Sequence, residues 1–147
     1  MISSPYRSTQ RVYFDDLDAL NILHNVRFLL FVERARGELF QLLGFRWEDD
    51  LAQNPDKFHV VAAHEIEYRA AVRGEGDLVV ELAPSHLGRT SLVIDATVRS
   101  SGSGSRQGEI VHATGKTRLV RLDPATFTPA PWSDRFRAAI GPLIVKP

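Results

Sequence analysis

Three carboxylates, a histidine and an asparagine lie close together in the chain, directly before its longest amphipathic stretch. Asp15, Asp16 and Asp18 are followed by His24 and Asn25. A carboxylate can attack a carbonyl carbon directly or activate a water molecule that does so. The unpaired amides at the start of a helix favour the negative charge that develops on the carbonyl oxygen. These residues are therefore the first candidates for a catalytic site.

The segment that carries them is predicted to run from a short strand through a loop into a long helix. Val12 to Phe14 are β-branched or aromatic, which favours a strand. From Asn25 to Leu43 apolar residues recur mostly at spacings of three and four, which predicts a helix of about five turns with one broad buried face. Asn25 is a suitable N-cap, and Gly44 tolerates the left-handed conformation that ends many helices.

The rest of the chain predicts four strands followed by a short helix. Alternating apolar residues favour strands at 58–68, 78–82, 92–98 and 110–122. Residues 73–77 supply a turn, and 100–108, almost all Ser and Gly, are expected to form a flexible hairpin loop. Gly115 suggests a bulge or a close backbone approach within the last strand. Phe136, Ala139 and Ile140 favour a short helix after Ser133.

Length and composition exclude several classes of function. The 147 residues predict a single domain (1–147) with a peripheral tail from about 133. The net charge is zero and no apolar run is long enough to span a bilayer, so neither nucleic acid nor a membrane is expected as a partner. Cysteine is absent, which excludes disulfides and thiolate sites. The first residues do not resemble a secretory signal, and we expect a cytoplasmic protein.

One set of motifs carries a resemblance to a known family. The motifs are Asp16-Leu17-Asp18, Asn21, His24-Asn25, Phe28 and Glu33-Arg34-Ala35-Arg36. They resemble the 4-hydroxybenzoyl-CoA thioesterase-like branch of the hot-dog fold, in which glycine is commoner at the position of Asn21 and tyrosine at that of Phe28. The resemblance implies an α+β fold, with an antiparallel sheet wrapped around one long central helix. The element order is consistent with it, because that arrangement buries both apolar surfaces.

The resemblance also implies an activity, the hydrolysis of an acyl-CoA to a carboxylic acid and free CoA. It places the catalytic carboxylate at Asp18, ionised at neutral pH, as nucleophile or general base. The helix-start amides near His24 and Asn25 would polarise the thioester carbonyl. Substrate contacts are expected from Asn21 and Phe28, and from Arg89 to the CoA phosphates. Arg73 and Lys116 are weaker candidates for the phosphates. Neither a cofactor nor a metal ion is expected, since coenzyme A is part of the substrate.

Several of these side chains have a second interpretation. Asp16 is expected to be structural, bonding backbone amides in the turn. His24 could contact substrate or be an ordinary loop residue, and Asn25 could be only an N-cap. Glu33 could act as a helix-borne catalytic carboxylate, but a pair with a neighbouring arginine is favoured. His64 is expected to be a satisfied core histidine.

The residues are also compatible with two functions other than catalysis. A non-catalytic module that binds acyl-CoA or acyl-carrier protein on the same scaffold is the second hypothesis, and a structural or regulatory dimer is the third. Unpaired sheet edges favour a homodimer, and the family also forms tetramers. The acyl group and its carrier are not specified by the sequence.

Overall fold

A computed structural model describes residues 2–100 and 109–145. It contains one antiparallel sheet of five strands in the order β1-β3-β4-β5-β2, with a long helix, α1, packed against the sheet. The elements are β1 (Tyr6–Val12), α1 (Asn25–Leu42), β2 (His59–Tyr68), β3 (Gly76–Leu87), β4 (Ser91–Ser100), β5 (Val111–Arg121) and α2 (Asp134–Ile140). The predicted α+β arrangement of a sheet around one central helix is therefore present.

Helix α1 has the predicted length and a slightly different start. Its 18 residues bury one face, formed by Phe28, Phe31, Val32, Ala35, Leu39 and Phe40. Gly44 follows the helix with φ +91°, which confirms its predicted left-handed conformation. The prediction of Asn25 as N-cap is wrong. His24 is the capping residue, with extended backbone angles (φ −55°, ψ 134°), and Asn25 is already helical.

The first strand lies before the predicted one. Strand β1 pairs with β3 along its whole length and ends at Val12, and Phe14–Asp16 form a 3-10 turn. Sequence periodicity missed the strand because two of its inward-facing residues are polar. Ser8 and Gln10 are buried, and both donate hydrogen bonds to Glu38 of α1. A helix carboxylate therefore takes the place of an apolar contact along this edge.

Strand β2 forms the opposite edge of the sheet, and most of it is exposed. Among the described strands it pairs with β5 alone, with a register shift between Val61 and Ala63. A Cβ on Gly115 of β5 would collide with the carbonyl oxygen of Glu65, so the predicted close backbone approach is confirmed. The loop predicted at 100–108 lies almost entirely outside the described residues.

The end of α1 is buried under an aromatic cluster. Phe136 of α2 stacks on Trp132 at 4.3 Å and packs edge-on against Phe40 and Phe45. The predicted short helix is confirmed, with Ser133 as its N-cap, accepting from the amide of Phe136. In the described ranges, no helix is both long enough and apolar enough to cross a membrane.

Candidate active site

Asp18 lies at the centre of a tightly bonded loop between β1 and α1. Its Oδ1 accepts from the amides of Leu20 at 2.8 Å and Ile22 at 3.2 Å. Its own amide donates to the carbonyl of Ile22, and its carbonyl accepts from Asn21. The residue is half-buried. Among the described residues Oδ2 accepts no hydrogen bond. The side chain is therefore held by one oxygen, while the other is available to react.

Asp16 has the structural part predicted for it. It is buried, and its Oδ2 accepts from the amide of Tyr13 at 2.8 Å. Its Oδ1 lies 3.6 Å from Nε of Arg27 in the first turn of α1. The carbonyl of Asp16 accepts from the amide of His24. Asp16 therefore fixes the loop to the start of the helix from both its side chain and its backbone.

The start of α1 presents two free amides. The amide of His24 is occupied by Asp16, but within residues 2–100 and 109–145 nothing accepts from the amides of Asn25 or Val26. His24 makes no side-chain capping bond, and no other side chain in the described part of the chain caps this helix end. A helix start favours a partial negative charge through its dipole and through its unpaired N–H groups. This end of α1 can therefore hold a carbonyl oxygen on which charge develops.

Three further predicted residues surround this end. Asn21 is exposed and adopts φ +62°, so it supplies the left-handed bend that glycine would otherwise provide. Phe28 is buried and packs edge-on against Tyr68 of β2 at 5.3 Å. The hydroxyl of Tyr68 donates to the carbonyl of Asn25. His24 is exposed beside them.

A small pocket lies between the middle of α1 and the edge strand β2. We call it the α1–β2 groove; it is shallow, with room for about one water molecule. Leu29 and Val32 of α1 form one wall and Ile66 of β2 the other, while Ala113 and Gly115 of β5 form the floor. Thr117 lines it too. The lining is mainly apolar.

A polar group of four residues lies beyond Val32, and we call it the end cluster: Glu33, Arg36, His64 and Thr117. Arg36 is buried and donates to both oxygens of Glu33 at 2.5 Å. Nε2 of His64 lies 3.4 Å from Glu33, and Nδ1 lies 2.9 Å from Oγ1 of Thr117. The predicted pairing of Glu33 with an arginine is confirmed. The prediction of His64 as a core histidine is wrong, because β2 is an exposed edge strand.

The candidates for phosphate contacts lie elsewhere on the surface. Arg89 is exposed in the loop before β4, and its carbonyl accepts from Trp132 and Arg137. Its guanidinium forms no ion pair within the described part of the chain. Lys116 is paired with Asp95 at 2.9 Å, while Arg73 is exposed beside the loop of Asp18 and pairs with Ile22 through a β-bridge.

Sequence comparison identifies the family. Residues 20–106, which include the end of the Asp18 loop and all of α1, match the Thioesterase superfamily. The chain belongs to the thioesterase superfamily. Acyl-CoA thioesterase YbgC of Haemophilus influenzae is 30% identical over 95 residues, which cover 65% of this chain and 69% of that protein. The predicted family is confirmed, and the chain is a thioester hydrolase.

Solved structures agree with this assignment. A thioesterase from Thermus thermophilus, complexed with coenzyme A and Zn, is 31% identical, with a TM-score of 0.71 and coverage of 93% of this chain and 92% of that one. The 1,4-dihydroxy-2-naphthoyl-CoA thioesterase Slr0204 from Synechocystis has a TM-score of 0.77 at 16% identity, covering 93% and 96%. The second likeness concerns the fold alone, and the predicted hot-dog fold is confirmed.

Two residues near the site are not predicted from sequence as site residues. Tyr68 bonds the carbonyl of Asn25 at the helix start, and Thr117 lines the α1–β2 groove. Thr117 stands opposite His64 in the register of β2 and β5. Sequence periodicity does not reveal that pairing, since 53 residues separate the two. Within the described residues, no group of three or more His, Asp or Glu side chains is arranged to hold a metal ion.

Proposed function

We propose that this thioester hydrolase acts on acyl-CoA, with Asp18 as its catalytic carboxylate and the first amides of α1 as its oxyanion donors. The named activity of YbgC and the coenzyme A bound to the Thermus thioesterase support the substrate class. The observation that carries the proposal is the combination on one loop: a half-buried carboxylate held by one oxygen, followed by two helix amides that have no acceptor among the residues the structure describes.

Asp18 serves as nucleophile or general base in this proposal. As a nucleophile, its Oδ2 attacks the thioester carbon, and the C–S bond breaks with release of the CoA thiolate. Water then hydrolyses the resulting anhydride, which restores the carboxylate. As a general base, Oδ2 takes a proton from the water that attacks instead. In both routes the amides of Asn25 and Val26 stabilise the charge on the carbonyl oxygen.

The other predicted contacts complete the proposal. Phe28 packs against Tyr68 beside the start of α1, where the acyl group lies, and Asn21 holds the bend of the loop. Arg89 binds a CoA phosphate, because its exposed guanidinium can form charge-assisted hydrogen bonds with phosphate oxygens. His24 contacts the carbonyl or a water molecule. No cofactor or metal ion takes part in this scheme.

We further propose that the chain is a cytoplasmic homodimer or homotetramer, assembled through its sheet edges. Strand β2 has one paired side and one open side, and most of its residues are exposed. An open edge of this kind is covered or paired in natural proteins. A two-fold partner is the simplest way to pair it.

The test is release of free thiol from aromatic, short and long acyl-CoAs by the wild type and by Asp18→Asn. Asparagine keeps an oxygen that accepts from Leu20 and Ile22, so the variant is expected to fold. We expect its kcat to be about 10³-fold lower, while acyl-CoA binding persists. A folded wild type that binds acyl-CoA without turning it over would instead be a binding module. Full activity in Asp18→Asn would refute the assignment of this carboxylate.

A further inference from the structure

We propose that His112, a buried residue near the start of β5, is a positioning residue for the reaction. It holds residues 69–74, which we call the support segment, and that segment in turn holds the loop of Asp18. The inference rests on the proposed function, since it takes Asp18 as the catalytic carboxylate. His112 does not touch the reacting atoms in this scheme and acts through the backbone.

The support segment joins β2 to β3 and is bonded directly to the loop of Asp18. The carbonyl of Val72 accepts from the amide of Leu23 at 2.9 Å. The amide of Gly74 donates to the carbonyl of Asn21, also at 2.9 Å. These two bonds join the loop to a neighbouring stretch of backbone that is distant from it in the sequence.

A shift of the support segment would reach the proposed catalytic carboxylate through one residue. Arg73 pairs with Ile22 in an antiparallel β-bridge. The amide of Ile22 donates to Oδ1 of Asp18 at 3.2 Å. Leu23, the next residue, directly precedes the capping residue His24 at the start of α1. The segment therefore fixes the carboxylate and the start of the helix relative to each other.

His112 holds the support segment through both its backbone and its ring. Its carbonyl accepts from the amides of Arg69 at 2.8 Å and Ala70 at 3.2 Å. Its Nδ1 lies 3.0 Å from the carbonyl oxygen of Ala70, and because a carbonyl only accepts, Nδ1 carries the proton and donates. In the neutral ring Nε2 is then the acceptor, and the hydroxyl of Ser100 donates to it at 2.6 Å.

The ring is needed because residues 69–72 belong to neither β2 nor β3. The direction of the Ala70 carbonyl therefore depends on a side chain. His112 is 1% exposed, so an apolar side chain in its place would leave that carbonyl facing an apolar group. An unsatisfied carbonyl is unfavourable, and we expect the segment to shift until the carbonyl reaches water. A displacement of about 1 Å at Asp18 is enough to lower the rate substantially.

The kinetic experiment compares two substitutions of His112 in acyl-CoA hydrolysis. His112→Leu removes the donor, whereas His112→Asn keeps a side-chain N–H close to the position of Nδ1. For His112→Leu we expect kcat to fall about tenfold with KM within about twofold of the wild type, because misplacement affects the reaction more than binding. His112→Asn should restore kcat to within about threefold of the wild type.

Trp132→Phe is the matched control. It removes another buried side-chain donor, which bonds the carbonyl of Ser91 at 3.0 Å, at the other end of α1. We expect this variant to have a lower Tm and a kcat within about twofold of the wild type. A loss of stability alone therefore does not produce the kinetic effect expected of His112→Leu.

Amide hydrogen exchange, measured by NMR, separates this inference from the proposed function. His112→Leu should speed exchange at Leu23 and Gly74 about tenfold more than exchange in β4, and Trp132→Phe should not. If the wild type hydrolyses no acyl-CoA, the proposed function fails, while the exchange rates still decide whether His112 holds the loop.

Ser100→Ala provides a second variant that leaves the ring in place and removes only the hydroxyl bonded to it. We expect exchange at Leu23 to be about threefold faster and kcat about threefold lower. Unchanged exchange at Leu23 and Gly74 in a folded His112→Leu would overturn the inference, as would a loss confined to KM or a fall in kcat no larger than that of Trp132→Phe. If His112→Leu does not fold, wild-type exchange and kcat in Ser100→Ala would overturn it.

Discussion

The two ends of helix α1 are built in opposite ways. At its end, Leu39 and Phe40 are buried, and the chain closes over them with Phe45 and Phe136. At its start, Val26 is 65% exposed and the first amides have no partner within the described ranges. One end has its apolar groups covered, while the other leaves hydrogen-bond donors open.

The same contrast appears in the loops that flank the helix. Before α1, Phe14 is 76% and Leu20 75% exposed, although they stand next to the catalytic candidate Asp18. After α1, Asn54 and Asp56 are buried although they are polar, and Asp56 accepts from the amide and the hydroxyl of Ser133. The buried contacts that stabilise the fold are therefore concentrated at the end of the helix. The groups that a ligand can reach lie at its start.

Phe136→Ala should show the largest effect, on stability alone. The ring is 1% exposed and contacts Trp132, Phe40 and Phe45. Its loss leaves a cavity, and we expect the free energy of unfolding to fall by about 3–5 kcal/mol. Urea denaturation measures the loss, and thiol release well below the variant's Tm should give kcat within about twofold of the wild type. A large fall in kcat would mean that the two ends are not independent.

Asn25→Pro tests the other end by removing one backbone donor. Proline suits the first helical position, and His24 before it is extended, as a residue preceding proline should be. The amide that is lost has no partner within residues 2–100 and 109–145. We expect kcat to fall about 10²-fold with little change in Tm, since a single oxyanion donor contributes that much.

Asn25→Ala is the control for this variant, because it removes the side chain and keeps the amide. Its kcat should remain within about threefold of the wild type if the backbone donor is what matters. Equal losses in the proline and alanine variants would assign the effect to the side chain instead, and the oxyanion proposal would fail.

The difference between the ends also explains what could be predicted from sequence. Strong periodicity located α1 and β4, and Gly44 located the helix end. The strand β1 was missed because Ser8 and Gln10 face inward, bonded to a carboxylate that is 28 to 30 residues away. Such pairs depend on the tertiary fold, and a single sequence contains no pattern that reveals them.

The residues of the candidate site also differ in whether the sequence alone predicts them. The loop residues Asp16 and Asp18 could be named from their motif, because their partners lie within eleven residues along the chain. The end cluster could not, because His64 and Thr117 come together only through the pairing of β2 with β5. Exposure was also misjudged there, since periodicity does not distinguish an uncovered edge strand from a buried one.

We expect His59 to make the stability of the aromatic end of α1 sensitive to pH. Burial among aromatic rings lowers the pKa of His59, and the hydrogen bond to the carbonyl of Asp56 opposes this effect. The unfolded chain therefore binds the proton more readily than the folded chain. The contribution of neutral His59 to stability is complete above about pH 6.5. It is lost as the pH falls toward the pKa of His59 in the folded chain.

The measurement compares Tm at pH 7.5 and pH 5.5 for the wild type and His59→Phe. Phenylalanine keeps an aromatic ring beside Phe40 and Trp132 but does not titrate. The wild type should lose more Tm on acidification than the variant. Other titrating groups are common to both proteins, so equal losses would show that His59 does not contribute.

Substitutions of Asn21 should have the smallest effect. They test the position at which glycine is commoner in the family. Its φ of +62° is open to glycine and strained for alanine, while its carbonyl accepts from the amide of Gly74 in any variant. Asn21→Ala should lower the free energy of unfolding by about 1 kcal/mol. Asn21→Gly should change it by less than about 0.5 kcal/mol, since relief of strain offsets the greater freedom of the unfolded chain.

Both variants keep Asp18 and the helix amides, so thiol release should stay within about twofold of the wild type. A large gain in kcat for Asn21→Gly would show instead that asparagine impairs the loop. Catalysis at the start of α1 would then be limited by the path of the chain before it.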